Sequence, residues 1–175
     1  MPRLFLLRHA KSSWANPGME DFDRPLNGRG VASVPLIARY MAEHDFQPDL
    51  VLCSSAQRTR ETFAGLLPFL SHDFEVRFLE ALYEPTDDSY IPALRRLGGS
   101  AKNLLLIGHN PTMQMTALDL AGDGEAEMVA SVTLKYPTAA LAVLDLPISD
   151  FADIRRRIGT LVDYVCPRDL GLSGD

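Results

Sequence analysis

A chain of 175 residues suits one domain and leaves little room for two complete catalytic domains. With 46% hydrophobic and 23% charged residues it can bury a core, which excludes a disordered tail. A formal charge of −6 removes the diffuse attraction that sequence-independent nucleic-acid or anionic-membrane binding relies on, so neither partner is expected. Any anionic ligand must instead be held by a local cluster of positive groups. The two cysteines, Cys53 in an apolar run and Cys166 near the C-terminus, do not make a disulfide framework. The apolar run Leu4 to Leu7 is too short for a signal-peptide core, and no stretch reaches the roughly 18 apolar residues of a membrane span, so the reading is a cytoplasmic protein.

Four short apolar runs read as strands: Leu4 to Leu7, Leu50 to Cys53, Phe74 to Phe78 and Leu104 to Ile107. Segments with helical spacing lie between or after them: Val31 to Glu43, Gln57 to Leu70, Tyr90 to Leu97 and Met113 to Ala121. This alternation predicts an α/β fold, a mostly parallel central sheet covered by helices on both faces. Val132 to Leu134 and Ala140 to Leu144, separated by a turn at Pro137, predict a hairpin or antiparallel edge. A last helix is expected from Ser149-Asp150, one of which would cap it, through Arg155-Arg156-Arg157 towards Val165. The reading is a single domain over 1–166, with a flexible tail over 167–175 that is rich in Gly and Asp.

Ligands of open α/β sheets bind beyond the carboxyl ends of the strands. The first strand is followed by Arg8-His9-Ala10-Lys11-Ser12, the second by Ser54-Ser55 with Arg58 in the next helical turn, and the fourth by Gly108-His109-Asn110-Pro111. The third is followed by Glu80 and Glu84. Arg8 and Arg58 are suited to grip the oxygens of one phosphoryl group, aided by backbone N–H groups at helix starts. A histidine among such cations is held neutral, and neutral imidazole is a nucleophile. His9 is thus the candidate phosphoryl acceptor, and His109 a hydrogen-bond donor to the oxygens as charge spreads in the transition state. Ser12 and Asn110 are candidate substrate-binding groups. The histidines and carboxylates show no paired metal-ligand spacing, so no metal and no cofactor is expected. Singly, each feature also has an ordinary structural reading: Arg58 and Glu61 can pair within a helical turn, and His44 and His72 read as surface residues. The coincidence at three strand ends is what points to a site.

These residues resemble the histidine phosphatase superfamily, with its phosphoglycerate-mutase-like fold, and specifically its short SixA-like branch. The resemblance runs from Leu4 to about Leu144 and rests on four ordered motifs: Leu7-Arg8-His9-Ala10, Asp23-Arg24-Pro25-Leu26-Asn27-Gly28-Arg29-Gly30, Ser54-Ser55-Ala56-Gln57-Arg58-Thr59-Arg60-Glu61-Thr62 and Gly108-His109-Asn110-Pro111. It implies a three-layer α/β/α sandwich, a phosphorylated nucleophile at His9, and phosphate contacts at Arg8, Arg58 and His109. Ala10 stands where the wider superfamily has Gly, which narrows the resemblance to the SixA-like branch. Leu82-Tyr83-Glu84 resembles the context of the proton donor in larger members. SixA-like members often lack a clear acid, so Glu84 stays open between proton donor and exposed bystander, with Asp21 and Asp23 weaker candidates.

The resemblance also implies an open pocket, because larger members carry insertions that roof it, and an activity that removes phosphate from phosphohistidine of a protein. A small phosphomonoester is the alternative substrate, and a non-catalytic phosphate-recognition module the alternative function. The oligomeric state is not legible.

Overall fold

The structure, a computed structural model, describes residues 1–172. Its seven-stranded sheet is ordered β3-β2-β4-β1-β6-β7-β5. The strands are β1 (Arg3–Arg8), β2 (Leu50–Ser54), β3 (Glu75–Leu79), β4 (Asn103–Gly108), β5 (Ala121–Gly124), β6 (Leu141–Asp145) and β7 (Gly159–Val165). Only β6, which pairs antiparallel with both β1 and β7, runs against the others. The helices are α1 (Gly28–Glu43), α2 (Gln57–Leu66), α3 (Ile91–Leu97), α4 (Thr112–Leu120) and α5 (Ala126–Leu134).

The alternation of β1 builds the layers. Leu4 and Leu6 face a core shared with Ile91 and Leu94 of α3, Met113, Ala117 and Leu120 of α4, and Val132 of α5. Phe5 and Leu7 face the opposite core, with Val34, Ile37 and Met41 of α1 and Phe63 and Leu66 of α2. The sheet is therefore buried on both sides, as its continuous apolar strands require. Among the described residues, no helix is long and apolar enough to cross a membrane.

Two expected elements differ. Val132 to Leu134 is not a strand but the last turn of α5. Ala126 to Ala130 supply good helix formers ahead of it, so the β-branched Val132 is one buried position on a helix. The partners of β6 are instead β1 and β7. The expected C-terminal helix is also absent. Asp150 does cap a turn, its side chain accepting from the N–H of Ala152, but only a 3-10 turn over Phe151–Asp153 follows. Arg157 then takes a positive φ of 62°, and the alternating, β-branched and aromatic run after Gly159 forms β7. The arginine triplet precedes that strand. The short β5, Ala-Gly-Asp-Gly, has no strand propensity to read. It exists because Gly122 lets the backbone at the Arg157 carbonyl approach where a Cβ would collide.

Of the segment read as a tail, Pro167–Leu170 form a 3-10 turn with Pro167 buried, the Asp169 carboxylate accepts the Cys166 N–H, and Leu170 packs against the α1 and α2 side of the core. Residues 173–175 lie outside the described residues.

Candidate active site

The parallel register brings the strand ends level. Arg8 pairs with Gly108 across β1 and β4, Cys53 pairs with Ile107 across β2 and β4, and the His9 N–H donates to the Gly108 carbonyl at 3.0 Å. Residues one step beyond each strand must then meet. The imidazoles of His9 and His109 lie with ring centroids 5.3 Å apart, and Arg58, in the first turn of α2, is buried beside them.

Fixed backbone contacts aim these groups. The Ala10 N–H donates to Oγ1 of Thr62, which donates in turn to the Arg58 carbonyl, so the segment carrying His9 is tied to α2. Asn27 caps α1 by accepting the Gly30 N–H, and a Cβ at Gly30 would collide with the Lys11 carbonyl, so only glycine lets α1 start against the loop after β1. The Tyr90 hydroxyl accepts the His109 N–H at 3.0 Å and donates to the Leu82 carbonyl at 3.1 Å. At Gly108 a Cβ would sit 2.6 Å from that hydroxyl.

Hydrogen bonding sets the tautomer of His9. Nδ1 of His9 lies 2.7 Å from the Ala10 carbonyl, which can only accept, so Nδ1 carries the proton and Nε2 of the neutral ring holds a lone pair. Nε2 of His109 lies 2.8 Å from Oγ of Ser54, which already accepts the Ala56 N–H. Nδ1 of His109 is buried with no partner, and in the tautomer in which Ser54 donates to Nε2 that Nδ1 is a donor. The Nε groups of Arg8 and Arg58 are likewise buried without partners, while their outer nitrogens bond to the Tyr136 carbonyl and to Asp21. Three of the six buried side-chain atoms left without a hydrogen-bond partner among the described residues are thus nitrogens of this one cluster, where a ligand could complete them.

The electrostatics agree. Burial lowers the His9 pKa well below its ordinary value, and His109, Arg58 and Arg8 lower it further against the Ala10 hydrogen bond, which raises it. Burial and the charges of Arg58 and Arg8 bring His109 down to about 3, although Asp21 raises it. Burial, and then Arg58, lower Arg8.

Between the ordinary imidazole pKa of 6.5 and about 3, the unfolded chain binds a proton at His109 that the native protein does not, so stability falls as pH drops through that window. His9 acts in the same direction. Asp21 extends the loss further down, between its ordinary 3.8 and its folded value of about 2. The unfolding midpoint should therefore decline steadily from about pH 7 towards about pH 4. His109→Gln should flatten the decline, and an unchanged slope in that variant would show that the ring is not held neutral.

The other candidates lie nearby in different circumstances. Oγ of Ser12 accepts from Arg24 at 2.8 Å. The Asn110 side chain is engaged within the fold, donating to the Tyr136 carbonyl and accepting the Gln114 N–H. Glu84 is exposed, lining a cleft with Tyr90 and Arg96, and no hydrogen bond or ion pair among those described joins it to Arg8, His9, Arg58 or His109. Arg58 pairs with Asp21, not with Glu61. His44 and His72 are exposed. Among the described residues no group of three or more His, Cys, Asp or Glu is arranged to hold a metal ion.

Sequence reasoning left Arg24, Tyr83 and Ser54 without roles and considered Asp21 only as an acid. The Tyr83 hydroxyl donates to Asp21, and its ring meets that of His109 edge-on at a centroid distance of 5.5 Å. The one available signal was the position of Asp21 and Arg24 in the run before Pro25-Leu26.

Residues 4–86 match the histidine phosphatase superfamily, branch 1. An uncharacterised protein of Mycobacterium tuberculosis (strain H37Rv) is 33% identical over 164 residues, covering 93% of this chain and 100% of that protein. A candidate phosphohistidine phosphatase, SixA, from Agrobacterium tumefaciens is 32% identical with a TM-score of 0.77, the match covering 95% of this chain and 99% of that one. A second structure of that description, from Nakamurella multipartitia, is 27% identical with a TM-score of 0.80, over 95% and 96% of the two chains. With its motifs, sheet and strand-end cluster, this chain belongs to the histidine phosphatase superfamily, in its SixA-like branch.

Proposed function

We propose that this phosphatase takes a phosphoryl group onto Nε2 of His9 and releases it to water, and that its substrate is phosphohistidine carried on a protein. The observation that carries the reading is the set of three buried, unpaired nitrogens, from Arg8, Arg58 and His109, in the cluster that holds the His9 lone pair. A tetrahedral oxyanion satisfies all three at once.

In the first half-reaction the Nε2 lone pair attacks phosphorus, the bond from phosphorus to the substrate nitrogen breaks, and that nitrogen keeps the electron pair, so that a substrate ring protonated on its other nitrogen leaves as neutral imidazole. The phosphorylated ring retains its proton on Nδ1, and the Ala10 carbonyl stabilises the resulting positive charge. Arg8, Arg58 and His109 hold the oxygens while charge spreads over them. Water then attacks phosphorus, the bond to Nε2 breaks with its electron pair returning to the ring, both hydrogens of the water leave on the dihydrogen phosphate, and His9 returns to its neutral, Nδ1-protonated tautomer. No step calls for a metal ion.

Two features support a protein substrate. Only Ser55 and Ala56 separate β2 from α2, and only three residues separate β4 from α4, so any cover over the pocket is left to the longer segments after β1 and β3. The two solved SixA relatives are named as candidate phosphohistidine phosphatases. An imidazole leaving group also needs less help from an acid than an alkoxide does, which fits the exposed place of Glu84.

The test compares a phosphohistidine-bearing protein with an alkyl phosphomonoester, using wild type and Glu84→Gln. Turnover of the phosphohistidine protein should be the faster and little changed by the substitution. Efficient alkyl-ester turnover that collapses in Glu84→Gln would transfer the assignment to a small phosphomonoester, with Glu84 as its proton donor.

A further inference from the structure

Arg58 can bind a phosphoryl group only if its guanidinium plane is turned the right way, and one residue controls that plane. Asp21 takes both outer nitrogens: its carbonyl accepts from one at 2.8 Å and its Oδ2 from the other at 3.1 Å. What this leaves unpaired is Nε, the atom assigned above to the oxyanion. A side chain held at two points by a single residue cannot rotate about its long axis without breaking both contacts.

Asp21 is itself held from the far side. Its carboxylate is 48% exposed and would be free to swing if nothing restrained it. Oδ2 also accepts the Tyr83 hydroxyl at 2.7 Å, and Oδ1 accepts Nε of Arg24 at 3.0 Å. Arg24 is fixed in turn by bonds to Oγ of Ser12 and the Ser13 carbonyl, and its guanidinium lies 3.5 Å from the centroid of the exposed Trp14 ring.

From this geometry we infer that Asp21 is a positioning residue of the phosphatase: it sets the orientation of Arg58, with Arg24 and Tyr83 holding it in place, so that the Nε edge meets the phosphoryl oxygens. The inference rests on the phosphoryl-binding reading of the site and adds to it the group that aims the clamp. A role for Asp21 as proton donor is disfavoured. Although burial raises its pKa, the Tyr83 hydroxyl, the Arg58 charge and the Arg24 hydrogen bond outweigh this and bring it to about 2, so it carries no proton to give at neutral pH.

The experiment is a double-mutant cycle on the affinity for tungstate, a tetrahedral oxyanion, measured by calorimetry alongside the unfolding midpoint. Asp21→Asn keeps the backbone contact to Arg58 but loses the charged one. It should weaken tungstate binding about tenfold in the wild-type background, the scale of one charge-assisted hydrogen bond discounted for exposure. In an Arg58→Ala background the same substitution should change affinity less than about twofold, because nothing is left to aim. Asp21→Glu, which retains the carboxylate, should recover part of the loss. If Asp21→Asn folds poorly, Tyr83→Phe removes one restraint on Asp21 and should weaken binding in the same direction by a smaller factor.

Equal losses in both backgrounds would overturn the inference, since a general structural effect does not depend on Arg58. Tighter binding in Asp21→Asn would overturn it too, by showing that the carboxylate competes with the anion. A wild-type protein that binds tungstate but turns over no phosphohistidine leaves the positioning role standing and sinks the proposed activity. A wild-type protein that binds no tungstate overturns both.

Discussion

His9→Ala is expected to reduce turnover by roughly four orders of magnitude or more, because it removes the atom to which phosphorus would be bonded. The proposed phosphoryl contacts from Arg8, Arg58 and His109 remain in the variant, so the loss should fall on kcat and leave KM little raised. The chemical signature is more specific than the rate. After brief reaction and a denaturing quench, the wild-type protein should carry one phosphoryl group that survives base and is lost in acid, as expected of phosphorus bonded to nitrogen. The variant should carry none. Burial in the wild-type ring position gives the loss a clear reading, since His9 is 7% exposed and makes its own contact at 2.7 Å to the Ala10 carbonyl. Alanine there leaves the backbone bond from the His9 N–H to Gly108 intact, so the variant should fold. An undiminished adduct in His9→Ala would move the nucleophile elsewhere.

The second large effect belongs to the clamp. Arg58→Ala is expected to cost about 3 kcal/mol of transition-state stabilisation, on the order of a hundredfold in kcat/KM, which is the scale for removing one preorganised donor to a developing oxyanion. Arg8→Ala should fall in the same range. Lysine should not restore either fully. At position 58 an ammonium could meet Asp21 or the phosphoryl group, but a point charge cannot keep two bonds to Asp21 on one edge while offering an N–H from another. At position 8 the same division holds between the Tyr136 carbonyl and the unpaired Nε. Arg58→Lys with wild-type kcat/KM would mean that charge alone suffices and that the planar fork is incidental.

Much of this was legible in the sequence, for a physical reason. Strands buried on both faces are continuous apolar runs, so Leu4 to Leu7, Leu50 to Cys53 and Leu104 to Ile107 could be located, and parallel pairing then forces the residues after them onto one rim. Arg8, His9, Arg58 and His109 followed from that placement. The Ala-Gly-Asp-Gly strand did not, since it is made by a close backbone approach at Gly122 and not by its own propensity. The C-terminal strand was hidden for a related reason. The polar run from Asp150 to Arg157 resembles a capped helix until Arg157 takes its positive φ. The roles of Asp21, Arg24 and Tyr83 were illegible because they depend on contacts between segments far apart in the chain. The contact from Tyr83 to Asp21 crosses 62 positions, and that from Arg58 to Asp21 crosses 37.

The hydroxyl of Tyr90 has a bearing on how such an enzyme can diversify. It joins the turn that ends in Leu82 to the histidine after β4, and it occupies the space that any side chain at position 108 would need. The loop best placed to be reshaped for a new substrate is thus moored to the site through two tyrosines, Tyr90 at the His109 backbone and Tyr83 at Asp21 and the His109 ring. Variation there can proceed freely beyond Tyr83, where Glu84 to Asp88 lie at the surface, but any change that displaces Tyr90 would also disturb the placement of His109.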